Sequence, residues 1–292
     1  MSVRFERALV ALELSAAESD LPGRLADLRR LGVRSLLLVH VGSYHVSRRA
    51  HSVQQHTAEA ELWTIAERLR AGGLAVKLAF RVGEPALEID RLMREQACDL
   101  LVVGLHSVPV LGRRSPGATP RDLARARDWP MLLFGASTGT RLVLATDLSA
   151  SAQAAEETAL ALANLSPVSP IGKTEQLSAF ATPAVAVSVI ARRQLTRHGV
   201  SVREARLRER FTAPAWTVAV RSGRPVAEIA AEAADADAGL LVIGRRRRTR
   251  LRALSPGRLA WQLSARLRCD VLLVPESGDV AERRRIAVGV VA

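Results

Sequence analysis

Leu101-Val102-Val103-Gly104 recurs 140 residues further on as Leu241-Val242-Ile243-Gly244. The same offset carries Arg81-Val82-Gly83-Glu84-Pro85 onto Arg221-Ser222-Gly223-Arg224-Pro225, and Glu88-Ile89 onto Glu228-Ile229. It also carries Ser115-Pro116-Gly117 onto Ser255-Pro256-Gly257, and Leu132-Leu133 onto Leu272-Leu273. Nearer the start the offset is 134, and Arg7-Ala8-Leu9-Val10-Ala11 meets Arg141-Leu142-Val143-Leu144-Ala145, with Glu13 opposite Asp147. One register held over so long a stretch marks a tandem duplication.

Each copy alternates two kinds of segment. Ala8–Leu12, Leu36–Val41, Ala75–Phe80, Leu100–Val103 and Met131–Phe134 are short, continuous apolar runs, as strands buried on both faces require. Between them fall helical spacings such as Leu21, Leu25, Leu28, Leu31 and Leu62, Ile65, Leu69. The second copy repeats the runs at Leu142–Ala145, Trp216–Val220, Leu240–Ile243 and Val271–Val274. Its second strand is expected at Ala184–Ile190, because Ser169-Pro170-Ile171-Gly172-Lys173 at the register position cannot sit inside a sheet. The expectation is α/β: two tandem doubly wound, Rossmann-like domains, each a five-stranded parallel sheet of order 3-2-1-4-5. The domains would span 1–137 and 138–276, with an insertion at about 166–183 and a basic, apolar tail at 277–292. That tail, with Arg283-Arg284-Arg285-Ile286-Ala287-Val288, reads either as a strand for a sheet edge or as a frayed end.

Composition narrows the class. The 292 residues are 48% hydrophobic and 24% charged, as in ordinary globular proteins. Lys77 and Lys173 are the lysines, so 40 of the 42 basic residues are arginine, and the net charge is +13. Cys98 and Cys269 match neither a disulfide framework nor a zinc spacing, which suits a reducing compartment. Glu13 cuts the apolar run of the first turns too early for a secretion signal. Ser178–Ala191 contains Pro183 and is too short to span a bilayer. A cytoplasmic protein with no membrane contact is expected. The loop histidines share no helix face and no Cys joins them, so no metal is expected. No G-x-S-x-G elbow is present, and no catalytic residue is assigned.

Ligands of open parallel sheets lie at the carboxyl ends of the strands, where the order reverses. The ends of strands one and four would therefore converge in each copy. A carboxylate there, Glu13 or Asp147, either accepts from a ligand's hydroxyl or amine or caps the next helix. The glycine-bounded loops Gly104–Gly117 and Gly244–Gly257 would offer backbone N–H groups to phosphate.

This arrangement resembles the universal stress protein family in its tandem form, over about Arg7 to Phe134 and Arg141 to Pro275. The resemblance implies a regulatory, non-enzymatic protein. In the family's ATP-binding branch a G-x-x-G-x9-G-[S/T] loop follows strand four, and an Asp ends strand one. Both copies depart from that pattern. The first has Gly104 and Gly117, but Ser107 stands for the middle glycine, Ala118 for the hydroxyl residue and Glu13 for the Asp. Thr119 either supplies the missing hydroxyl or caps a helix. The second keeps Asp147, Gly244 and Gly257, but has Arg247 and Arg258 at the other two positions. A side chain where backbone must approach phosphate obstructs it. The implied sites are degenerate, binding ATP weakly or not at all, with no metal. The better candidate is the second copy, with Thr146, Asp147, Ile243, Gly244, Arg247, Gly257 and Arg258. The weaker is the first, with Glu13, Val103, Gly104, Ser107, Gly117, Ala118 and Thr119.

Charge supplies the alternative. Residues 1–137 carry 19 basic and 15 acidic side chains, whereas 138–292 carry 23 and 14. The excess gathers in loop 245–258, whose arginines could hold a phosphate, bind nucleic acid or stay solvated. An anion or nucleic-acid binding module is thus the second reading. An intramolecular pair of domains is expected, each keeping its own sheet, with a homodimer as a further option; the family resemblance implies that the fifth strands meet across the pair.

Overall fold

The computed structural model describes residues 5–12, 21–42, 48–104, 123, 129–135, 139–165, 180–190, 197–212, 215–245 and 258–276. The first half holds strands β1 (Arg7–Ala11), β2 (Ser35–Gly42), β3 (Ala75–Val82), β4 (Leu100–Gly104) and β5 (Met131–Phe134). Helices α1 (Leu21–Ala26), α2 (Arg48–Ala71) and α3 (Pro85–Glu95) lie between them. The second half holds β6 (Arg141–Ala145), β7 (Ala181–Ile190), β8 (Trp216–Ser222), β9 (Ala238–Arg245) and β10 (Asp270–Pro275). Its helices are α4 (Gln153–Ala163), α5 (Arg197–Arg210), α6 (Pro225–Asp235) and α7 (Arg258–Ser264).

The strand order is β3-β2-β1-β4-β5-β10-β9-β6-β7-β8. Each half is therefore 3-2-1-4-5, and every pairing within a half is parallel. Side chains alternate across the sheet as the pleat demands. Leu100, Val102, Leu132, Leu240, Val242 and Leu272 face one cluster, with Leu25, Leu62, Ala159 and Leu207 from α1, α2, α4 and α5. Leu101, Val103, Leu133, Leu241, Ile243 and Val271 face the other, with Ile89, Ile229 and Leu263 from α3, α6 and α7. Strands covered on both faces explain why the apolar runs are continuous.

The two sheets are not separate, which corrects the expectation. Met131, Leu132 and Leu133 pair antiparallel with Leu273, Leu272 and Val271, and one ten-stranded sheet results. Under the 140-residue offset this contact maps onto itself: Leu132 faces its own counterpart, and Met131 faces the counterpart of Leu133. Such an isologous seam is how a duplicated domain closes against its copy. It also pairs two buried edges whose backbone groups would otherwise lack partners.

The seam is fastened from both sides. Asp270 Oδ1 accepts the Gly135 N–H at 2.8 Å, and Arg30 Nη2 reaches Oδ2 at 2.7 Å. Burial pushes the Asp270 carboxyl up, while Arg30, the Gly135 N–H and Arg24 pull it back. The Arg24 guanidinium lies 4.1 Å from the Phe134 ring centroid. On the other side Arg245 Nη2 donates to the Trp129 carbonyl at 3.3 Å, and Trp129 Nε1 donates to Asp90 at 3.1 Å.

The repeat unit around Gly83 and Gly223 also has a physical basis. A Cβ on Gly83 would lie 3.0 Å from Glu88 Cγ, and one on Gly223 would collide with the Glu228 carboxylate. Pro85 and Pro225 open their helices at the first turn. Strand β7 starts three residues before the expected Ala184, so 181–183 belong to the sheet. Pro183 is accommodated because the register with β6 jumps there, from Arg141↔Ala181 to Val143↔Val185. Ser169–Lys173 and the tail lie outside the described residues.

Candidate functional site

In the second half, Ala145 pairs with Ile243, which sets the end of β6 beside the end of β9. Thr146 follows, its N–H donating to Val187 O at 3.0 Å, and there the chain leaves the sheet. The next turn is closely organised. Thr146 Oγ1 accepts the Leu148 N–H at 2.9 Å and donates to Glu156 Oε1. Asp147 Oδ1 accepts the Ser149 N–H at 3.0 Å and the Ser149 hydroxyl at 2.5 Å. Leu148 takes a left-handed φ of 58°, a costly conformation for a branched residue, while its side chain packs against the core. Asp147 thus forms an Asx turn that starts the 3-10 turn Ala150–Ala152 and then α4.

Gly244 has a packing role. A Cβ there would lie 3.2 Å from Ser151 O and 3.3 Å from Ala152 Cα, so the bare backbone lets the 3-10 turn rest on the end of β9. Glu156 is 1% exposed, one turn into α4. Arg210 Nε approaches its Oε2 to 2.5 Å as an ion pair outside hydrogen-bond geometry. From the middle of α5, Arg203 Nη1 donates to the Asp147 carbonyl at 2.8 Å and to Ser188 Oγ at 3.4 Å. Ser188 is fully buried within β7.

Of the residues expected at this site, Thr146, Asp147, Ile243 and Gly244 are brought together. Arg247 and Gly257 lie outside the described residues, and so does the side chain of Arg258, which opens α7. In the first half, Val103 pairs with Ala11 and Gly104 with Phe134 at the corresponding strand ends. Glu13, Ser107, Gly117, Ala118 and Thr119 lie outside the described residues. Leu12 stands where the second half has Thr146, and His40 Nδ1 lies 3.1 Å from its carbonyl. Glu156, Ser188 and Arg203 escaped the sequence reading. The signal was faint: Ser188 is the one hydroxyl in the apolar run Ala184–Ile190.

Among the described residues no group of three or more His, Cys, Asp and Glu could hold a metal ion. Cys98 and Cys269 are buried free thiols, both pushed up to about 12, chiefly by burial. No described helix is long and apolar enough to cross a membrane.

Comparison with known proteins bears on the fold. A universal stress protein from Archaeoglobus fulgidus DSM 4304 is 17% identical, with a TM-score of 0.72, covering 93% of this chain and 98% of that one. A functionally unknown protein from Pseudomonas aeruginosa PAO1 is 19% identical, with a TM-score of 0.66, covering 98% of both chains. At such identities the likeness establishes a shared fold. No curated protein matches this sequence. The family model for the universal stress protein family matches twice, over residues 5–135 and 139–275. The chain belongs to the universal stress protein family, and it carries the family's fold twice in tandem.

Proposed function

We propose that this chain is a non-catalytic regulatory protein of the universal stress type, whose adenine-nucleotide sites are degenerate and bind ATP weakly or not at all. The better of the two sites is that of the second half, around Thr146, Asp147, Ile243 and Gly244, with Arg247, Gly257 and Arg258 from the loop. The observation that carries the reading is the internal use of this turn. Asp147 Oδ1 already holds Ser149, and Gly244 receives the 3-10 turn. Glycine and carboxylate are thus both employed by the fold itself. The two domains act as an intramolecular pair, and the free thiols suit the cytoplasm.

Titration of the full chain with labelled ATP, then with DNA and RNA at two salt concentrations, tests this. Saturation by ATP only at millimolar levels, or none, is expected, with no phosphate release. Micromolar saturation or turnover would overturn it. Nucleic-acid affinity that falls steeply with salt, without ATP binding, would instead favour the arginine loop as an anion module.

A further inference from the structure

Three of the described arginines on α5 and β8 are paired with acids, while Arg206 is exposed and meets no described carboxylate. Arg210 meets Glu156, Arg208 meets Glu204, and Arg221 meets Glu232 and Asp235. Arg203 differs. It is half-buried, and its partners are both neutral: the Asp147 carbonyl and the Ser188 hydroxyl. No described carboxylate lies within ion-pair distance of it. Both contacts use Nη1, so the edge formed by Nε and Nη2 carries no hydrogen bond among the described residues. That edge is the fork that matches two oxygens of one phosphate.

The position is built, not incidental. Ser188 is fully buried, and its hydroxyl accepts from Arg203 Nη1 at 3.4 Å. The Asp147 carbonyl that fixes the other Nη1 hydrogen belongs to the strained turn at the end of β6. Residues beyond β6, on β7 and on α5 therefore orient one guanidinium at the carboxyl end of the sheet, with no described carboxylate within ion-pair distance. A fixed cation so placed, partly out of water, favours an anion.

We propose that Arg203 is the phosphate-holding residue of the second site, with the open edge of its guanidinium set at the carboxyl ends of β6 and β7. The ligand class is a phosphorylated nucleotide or a short polyphosphate. The proposal rests on the nucleotide reading above and extends it to a residue on α5.

The test uses the full chain and three probes: ATP, tripolyphosphate and adenosine. Each is titrated by calorimetry against the wild type, Arg203→Lys, Arg203→Ala and Asp147→Ala, with circular dichroism to verify folding. Lysine keeps the charge but loses the fork. We expect Arg203→Lys to weaken ATP and tripolyphosphate about tenfold, Arg203→Ala more, and adenosine to be unaffected. Unchanged or tighter polyphosphate binding in both variants overturns the proposal, since the guanidinium would then be a plug. So does an absence of polyphosphate binding by the folded wild type at millimolar levels. If Arg203→Lys weakens tripolyphosphate while ATP binds no better than tripolyphosphate and Asp147→Ala changes nothing, Arg203 holds anions and the nucleotide reading fails. ATP binding lost in Asp147→Ala but intact in both Arg203 variants is the converse: the nucleotide reading stands and this proposal falls.

Discussion

At the seam single residues are constrained both sterically and electrostatically. A Cβ on Gly135 would overlap the carbonyl groups of Arg268 and Cys269. Gly135→Ala should therefore cost about 3 kcal/mol or more, read as a lowered urea midpoint, because backbone atoms cannot step aside as a side chain end can. Asp270→Ala should cost a similar 3–5 kcal/mol, since it strands Arg30 and the Gly135 N–H. Wild-type stability in either variant would mean that the seam is held elsewhere. Gly244→Ala is milder, about 1 kcal/mol, because its contacts at 3.2 and 3.3 Å require only a small shift of the 3-10 turn.

The two thiols make a pH prediction. Their folded pKa of about 12 lies above the ordinary thiol value, so the folded state holds its protons longer than the unfolded chain. Their contribution to stability is complete below the unfolded pKa and is lost as pH rises from about 8.5 towards 12. Chemical denaturation across this range should show falling stability, and a Cys98→Ala, Cys269→Ala double variant should show a shallower fall. At neutral pH both thiols should resist alkylation until the chain unfolds.

At the scale of elements, the second half is tied together by one polar chain running from β6 through α4 to α5. Thr146, Glu156 and Arg210 form it within an otherwise apolar layer. Glu156→Ala removes the acid between them and leaves Arg210 and the Thr146 hydroxyl without it. A loss of about 3 kcal/mol is expected by urea unfolding, with Glu156→Gln milder because its amide oxygen still accepts from Thr146. Equal losses in the two variants would assign the effect to packing volume and not to the hydrogen bond. The first half has Leu12 and Pro22 at the corresponding positions, so the two copies have diverged in how they fasten the helix after strand one.

For the whole molecule, the seam is the feature with the largest consequence. Each half alone would expose a buried edge, β5 or β10, with unpaired backbone groups and an apolar face. The self-matching register around Leu132 and Leu272 means that a second copy of the same half can cover that edge. Residues 1–137 expressed alone should sediment as a homodimer or larger, and mixing with the second half should recover a heterodimer. A monodisperse monomer of the first half would show that the seam is dispensable. The hetero-pair should win, because Arg30 finds Asp270 only in the second half; the first half has Pro130 at that register position.

The sequence by itself determined the duplication, the α/β class and nine strands to within a few residues. These follow from periodicity and register, which are local or repeated properties of the chain. Strand β7 was legible only as an apolar run, since its start depends on a bulge that lets Pro183 into the sheet. Tertiary structure alone decided the rest. That the fifth strands hydrogen-bond into one sheet depends on edges about 140 residues apart finding each other. The use of Asp147 was open between ligand and cap in the sequence; in the structure its Oδ1 accepts the Ser149 N–H and hydroxyl in an Asx turn, an arrangement set by where one turn places two donors. Arg203 stands 56 residues from Asp147, and no spacing rule connects them. Only the packing of α5 over β7 and β8 brings its guanidinium to the end of the sheet.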